Sequence, residues 1–323
     1  MAVTTYLNAL NDAMRIELER DPLFYIAGED VGRFGGPHLV THGLWKEFGG
    51  ERIRDMPISE TAILGHAVGA AAAGLHPCVE IMYVDFMAVC MDELVNQAAK
   101  MHYMFGGKVS VPMVVRTLGG AGMQASAQHS QSWESLFTHV PGLKVVSPST
   151  PMDAKGLFLS SVRDPNPVVF LEHKMLYGFS GECPDGDFTV PIGKADVVKE
   201  GTDITIICWS YMRYVGIQAG KLLQEKGVSA EVIDLRSLSP VDWETVLASV
   251  RKTGRALIVH EEVKTSGFGG EISARIMEGA FDSLKSPVVR VAAPDTPVPF
   301  NGNLEAEFLP NEKIVTDKAV QMF

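Results

Sequence analysis

The chain has 323 residues, enough for two domains that each bury a core of their own. Its formal net charge of −11 and the absence of any clustered Lys and Arg run argue against nucleic acid or an anionic membrane as a partner. A hydrophobic content of 46% and a mean hydropathy of +0.10 are high for a soluble chain and predict apolar surface kept for subunit contacts, hence an oligomer.

The first residues, Met-Ala-Val-Thr-Thr-Tyr, have neither the basic and apolar regions of a secretory signal nor an Arg-rich transit pattern, so a cytoplasmic protein is expected. From residue 23 onward, β-rich runs alternate with helical stretches. Strands are expected at 23–27, 78–82, 111–116, 143–147 and 168–172, and helices at 61–74, 87–104, 130–139 and 151–162. Between 174 and 195 the alternation stops among Gly178, Gly181, Pro184, Gly186 and Pro191. A second series follows, with strands at 203–208, 230–234, 256–260 and 288–291 and helices at 211–226, 242–250 and 270–282. Such alternation means crossover connections and an α/β fold of two domains with mainly parallel sheets flanked by helices. The expected division is a domain over 1–183, a linker over 184–195 and a domain over 196–323. Ligands are then expected beyond the carboxyl ends of the strands.

Residues 61–79 form an uncharged run of nearly membrane-spanning length. Gly and Ala dominate it and His66, His76 and Pro77 interrupt it, so a core helix packed on all sides is expected. The four cysteines, Cys78, Cys90, Cys183 and Cys208, contain no CxxC pair and read as buried reduced thiols.

Glu60 stands directly before this apolar helix, so it is expected to enter the interior, where a carboxyl group needs a partner or a raised pKa. The alternative is helix capping, with Ser59 as N-cap and Glu60 at the positive end of the dipole. The stretch from Arg116 to Gln131 follows a strand and is rich in Gly and small polar residues, the composition of a functional loop. It contains His129, which is either a proton-transfer group or a solvated structural residue. The other eight histidines are expected to lack polar company. Gly120-x-Gly122-x-x-Ala125 imitates a dinucleotide fingerprint, but the next strand ends Val146-Ser147-Pro148-Ser149 and has no ribose-binding acid. That disfavours an NAD-dependent Rossmann dehydrogenase. No HExxH, P-loop or GxSxG motif is present.

Glu60 in Pro57-Ile-Ser-Glu60, Tyr83-Val-Asp-Phe86, Asn96-Gln-Ala-Ala-Lys100, the His129 loop with the run that follows it, and His260-Glu-Glu with Ser266-Gly-Phe-Gly-Gly270 together carry a family resemblance. From about residue 4 to its end the chain resembles the beta subunit of thiamine-diphosphate-dependent 2-oxo acid dehydrogenases, a family that includes pyruvate, branched-chain 2-oxo acid and acetoin dehydrogenases. The resemblance implies a transketolase-like pyrimidine-binding domain followed by a C-terminal domain. It implies that Glu60 hydrogen-bonds a pyrimidine nitrogen of the cofactor, that Phe86 stacks on that ring, and that Met82 and Ile58 are neighbouring pocket positions. His129 matches a histidine that serves acyl transfer to a lipoyl arm. A potassium site in some members would fall on Met113, Ser161, Val162, Asp164 and Asn166, where Asp164-Pro-Asn166-Pro reads equally as a turn.

The family's magnesium and diphosphate motif, GDG with a later Asn, is missing, and Pro184-Asp185-Gly186-Asp187 has the wrong order. By resemblance, magnesium and the diphosphate are then held by an alpha subunit, and the assembly is a heterotetramer with a second beta subunit and a lipoyl acyltransferase core. The substrate is a small 2-oxo acid of the pyruvate type or, alternatively, acetoin. The second domain, lacking a convergent acid or base, is expected to dimerise and to dock the core through Glu305, Glu307 and Glu312. A subunit that only docks the core is the non-catalytic alternative.

Overall fold

The computed structural model describes residues 2–323, which form two compact units. Neither is one continuous stretch. The first takes the chain up to Gly119 and again over Leu136–Ile192; the second takes Gly120–Ser135 and Gly193–Phe323. The loop before residue 136 therefore packs with the second unit, although it lies early in the sequence.

The first unit opens with β1 (Ala2–Thr5), α1 (Tyr6–Arg20), β2 (Phe24–Gly28), α2 (Leu44–Phe48), β3 (Ile53–Asp55), α3 (Glu60–Ala72) and β4 (His76–Ile81). A tight helical segment, Val84–Cys90, and a wider one, Glu93–Ala98, lead into α4 (Ala99–Met104) and then β5 (Val114–Gly119). After α5 (Glu134–Thr138), where the chain returns from the second unit, come β6 (Lys144–Val146), α6 (Pro151–Val162), β7 (Val168–His173) and β8 (Ser180–Cys183). Six strands pair in parallel in the order β6-β7-β5-β4-β2-β3. β2 and β7 are buried at every residue, as strands covered on both faces must be. Helix α6 begins where the sequence provides a start signal: Thr150 accepts the Asp153 N–H at 3.1 Å and Pro151 takes the first helical position. β8 pairs antiparallel with β1 inside the stretch that reads as patternless, and α1 packs on α6.

Helix α3 differs from its expectation. Ile63, Leu64, Ala67, Val68 and Ala71 are buried, but Thr61, Ala62, Gly69 and Ala72 are exposed. Gly and Ala make the sequence apolar all round without telling which face is covered, so the helix has a bare small-residue face and Glu60 is only half-buried. All four cysteines are buried and unpaired.

The second unit contains β9 (Asp196–Lys199), β10 (Ile204–Cys208), α7 (Met212–Glu225), β11 (Ala230–Asp234), β12 (Ser237–Ser239), α8 (Trp243–Thr253), β13 (Ala256–Val263), α9 (Gly269–Ala280), β14 (Val289–Ala293), α10 (Gly302–Phe308) and α11 (Glu312–Val320). Its sheet runs β14-β13-β10-β11-β9, parallel except for β9 at the edge. Ile204, Ile206, Val232, Leu257 and Val259 form its core with Ala219 and Leu223 of α7 and Val315 and Ala319 of α11. Among the described residues no helix is long and apolar enough to cross a membrane.

Candidate active site

In the first unit β2, β3 and β4 are parallel neighbours, so the residues that follow them share one edge of the sheet. Glu29 follows β2, Pro57 to Glu60 follow β3, and Met82 follows β4. Glu60 is the first residue of α3, a position where the helix dipole favours a carboxylate. Ser59 occupies the N-cap position but does not cap: its hydroxyl donates to the Pro57 carbonyl at 3.0 Å. The Ser59 N–H donates to Glu29 instead.

Glu29 is a further candidate at this edge and belongs to none of the motifs named above. It is buried, and its pKa is raised by burial first and then by the charges of Glu60, Asp30 and Glu80. The available signal was an acid directly after the wholly apolar strand Phe24-Tyr-Ile-Ala-Gly28.

The Thr61 hydroxyl donates to the Val89 carbonyl at 2.9 Å, which ties the first turn of α3 to the Val84–Cys90 segment that carries Phe86. Phe86 is half-buried and lies edge-on to Tyr83 at 5.7 Å between ring centroids, while Tyr83 meets His38 Nε2 at 3.4 Å through its hydroxyl. Met82 is half-buried. Ile58 is 84% exposed and so closes no pocket within this chain.

Beneath this edge, Arg116 of β5 lies between Glu80 of β4, at 2.6 Å, and Glu172 of β7, at 2.7 Å. The Tyr177 hydroxyl donates to Glu172 at 2.8 Å. Burial alone would lower the Arg116 pKa, but the two carboxylates raise it well above the ordinary range.

His129 belongs to the second unit, where it ends a short turn, Ala127–His129, and is half-buried. Its loop is held by acids of that unit. Glu261 accepts the Ala121 N–H, and Glu305 accepts the N–H groups of Gly122 at 2.8 Å and Gln124 at 2.9 Å. Glu262 accepts both the N–H of Ser135, at 3.0 Å, and its hydroxyl, and takes the Phe268 N–H at 2.7 Å. Glu134 lies beside them with its carboxyl raised to about 8 by burial and by Glu262; the Trp209 indole donates to it at 3.3 Å.

These contacts correct two expectations. Glu305 is 2% exposed and committed to the loop, so it cannot meet a docking partner, and the second unit does bring acids together. The helical position of Glu305 did not show that its turn is packed face-down. Nor do all the remaining histidines lack polar partners: His76 meets Asp21 at 2.5 Å, His66 meets Tyr25 at 3.1 Å and His102 meets the Val109 carbonyl at 2.8 Å. Partners distant in sequence are invisible to local reading. His260 is the opposite case, buried with neither ring nitrogen hydrogen-bonded, stacked on Trp209 at 5.5 Å and 8°, and held neutral with a pKa lowered to about 4 by burial.

Of the expected potassium residues, Ser161, Val162, Asp164 and Asn166 stand at or just after the end of α6, and the polar groups of the set have partners within this chain. Asp164 pairs with Lys144 and accepts the Asn166 N–H at 3.0 Å and its amide at 2.9 Å. The Met113 carbonyl accepts from Val168 at 2.9 Å, the Ser161 hydroxyl donates to Leu157 at 2.7 Å, and Val162 is buried in the helix. An ammonium group already neutralises Asp164, so this arrangement does not fit a bound potassium ion. Among the described residues no group of three or more His, Cys, Asp or Glu side chains could hold a metal ion.

Residues 3–180 match the model of the transketolase pyrimidine-binding domain and residues 193–315 that of the transketolase C-terminal domain. The chain is 45% identical over 313 residues to the beta subunit of acetoin:2,6-dichlorophenolindophenol oxidoreductase of Cupriavidus necator, covering 94% of this chain and 92% of that one. It is 45% identical over 320 residues to the pyruvate dehydrogenase E1 component subunit beta of Bacillus subtilis, covering 99% and 98%. The 2-oxoisovalerate dehydrogenase subunit beta of the same organism is 42% identical over 313 residues, covering 96% of this chain and 96% of that one. A solved split-gene transketolase, described as an inactive beta4 tetramer, shares the fold with a TM-score of 0.80 at 21% identity, covering 98% of this chain and 97% of that one.

Proposed function

We propose, from the premise that the chain belongs to the transketolase-like beta subunits of 2-oxo acid and acetoin dehydrogenases, that it forms the pyrimidine-side half of a thiamine-diphosphate-dependent active site. The observation that carries this reading is the edge formed by β2, β3 and β4, where a half-buried carboxylate, Glu60, is tied through Thr61 and Val89 to the segment of a half-buried aromatic ring, Phe86. One acid and one aromatic face suit a flat heterocycle with a ring nitrogen. When bound, thiamine diphosphate supplies the nucleophilic carbon and the electron sink that a 2-oxo acid needs to lose carbon dioxide. Glu60 holds a proton at the pyrimidine nitrogen, Phe86 stacks on the ring, and Met82 and Ile58 flank it. His129 stabilises a substrate oxygen or moves a proton as the acyl group passes to a lipoyl arm.

The diphosphate and its magnesium are assigned to an alpha subunit because GDG is missing from this sequence. The assembly is a cytoplasmic heterotetramer with two beta subunits, delivering to a lipoyl acyltransferase core. The exposure of Ile58 suits a surface completed by another subunit. No role is given to potassium, which would have to displace Lys144 from Asp164. The substrate is a small 2-oxo acid of the pyruvate type; acetoin is the second reading, favoured by the equally similar acetoin-enzyme relative.

Glu60→Gln keeps the volume and loses the proton-holding group. In the assembled enzyme it should lower turnover well over tenfold, more than ~1.4 kcal/mol in barrier. Proton exchange at the thiazolium carbon should fall with it, and near wild-type exchange would overturn the assignment. Assays on pyruvate, a branched 2-oxo acid and acetoin side by side separate the two substrate readings.

A further inference from the structure

The loop that carries His129 has no strand ladder to hold it, and its backbone is unusual. The φ angle is positive at Gly120, Gly122, Gln124 and Ser126, with values of 85°, 100°, 54° and 71°. Alternating backbone handedness turns successive N–H groups toward one side, the arrangement that accepts an anion. Here the anion is built into the chain. Both carboxylate oxygens of Glu305 are used, one by the Gly122 N–H and the other by the Gln124 N–H, and Glu261 takes the Ala121 N–H between them and Gly120.

The helix that presents Glu305 is itself fixed against the loop. Ala121 is buried with Ala293, Val298 and Phe308, the last residue of α10. A Cβ on Gly302, the first residue of α10, would lie 3.1 Å from the Gln124 side chain. On the far side of His129, Glu262 holds Ser135, and the Gly120 N–H donates to the Gln131 carbonyl at 3.0 Å and closes the loop upon itself.

We infer that Glu305, on α10 far along the chain, is a positioning residue for His129: its carboxylate fixes the Gly122–Gln124 backbone and thereby the turn that presents the imidazole. This rests on the reading of His129 as the acyl-transfer residue. Glu305 touches no substrate in this account. It acts only through the loop.

Hydrogen exchange of the full wild-type chain tests the geometry without any variant. The amides of Gly122 and Gln124 should be protected at least tenfold relative to those of Met123 and Ser126, and equal exchange would overturn the inference. In Glu305→Gln one acceptor is lost and an amide N–H₂ faces an N–H donor, so exchange across 121–129 should rise at least tenfold while the strands of the second unit keep their protection. In the assembled enzyme, acyl transfer to a lipoyl domain should then fall at least tenfold, and decarboxylation measured with an artificial electron acceptor should fall less.

A loosened loop with unchanged transfer would sink the inference if His129→Ala is itself impaired in transfer. If His129→Ala also transfers normally, the reading of His129 fails instead. Equal losses in decarboxylation and transfer would make Glu305 a general stability residue and overturn the positioning role. Should Glu305→Gln not fold, Glu305→Asp, which keeps the charge but shortens the reach by one methylene, takes its place with the same expected split and the same overturning results.

Discussion

The first unit neutralises its buried acids with a cation, whereas the second neutralises several of its own with backbone amides. Arg116 sits between Glu80 and Glu172 on three adjacent strands, β4, β5 and β7, whose positions the sheet already fixes. Glu262 and Glu305 instead meet N–H groups at the feet of an irregular loop. Both solutions offset the desolvation of a carboxylate, but they order different things. The ion cluster secures elements that hydrogen-bonded pairing would align anyway. The carboxylate-to-amide bonds hold a segment that no strand pairing aligns.

The sharpest way to break this contrast is Arg116→Met. It leaves Glu80 and Glu172 buried without their counter-charge, so a loss of about 3–5 kcal/mol is expected in denaturant unfolding. A loss below 1 kcal/mol, on the order of a solvent-exposed pair, would show that the cluster is not the buried charge balance described.

Glu262→Gln should cost less, because the substitution removes the charge itself and strands only donors. About 1.5–3 kcal/mol is expected, the worth of a hydrogen bond to a charged group, and the loss should be accompanied by faster amide exchange at Ser135. If Glu262→Gln proved as damaging as Arg116→Met, the distinction between the two units would collapse.

A dependence on pH offers a further test. Glu134 has its carboxyl raised from an ordinary 4.5 to about 8, so between those values the folded protein keeps a proton that the unfolded chain releases. Its contribution is therefore most favourable at acid pH and is lost as pH rises toward 8. His260, lowered from 6.5 to about 4, acts in the opposite sense: the unfolded chain takes up a proton that the folded one refuses, and stability is lost as pH falls from 6.5 to 4. Thermal unfolding of Glu134→Gln from pH 4 to 9 should keep the acid limb and flatten the decline between 4.5 and 8. A mutant profile parallel to the wild type would remove Glu134 as its source.

The parallel strands were legible because buried runs such as Ile206 to Cys208 and Val168 to Leu171 are apolar throughout, and α6 because Thr150, Pro151 and Asp153 mark its start. Glu60, Phe86 and His129 are candidates because of motifs that stand together in sequence. Helix α1 repeats buried residues at Tyr6, Ala9, Leu10, Ala13, Met14, Glu17 and Leu18, a readable helical period in a part of the chain to which no element was assigned. What no local reading could supply were pairings across the chain: Glu261, Glu262 and Glu305 lie well over a hundred residues from the amides of Ala121, Ser135 and Gly122 that they hold. Ile58 and the bare face of α3 mark another boundary, since an apolar residue announces that it will be covered but not by which chain.

The acids that hold the His129 loop reach main-chain N–H groups for the most part, and every residue except proline provides one. Side chains at Met123, Ala125 and Gln128 are consequently left out of the grip. Substitutions there leave the anchoring bonds as they are, so the loop separates a part that is held from a part that is free to diversify.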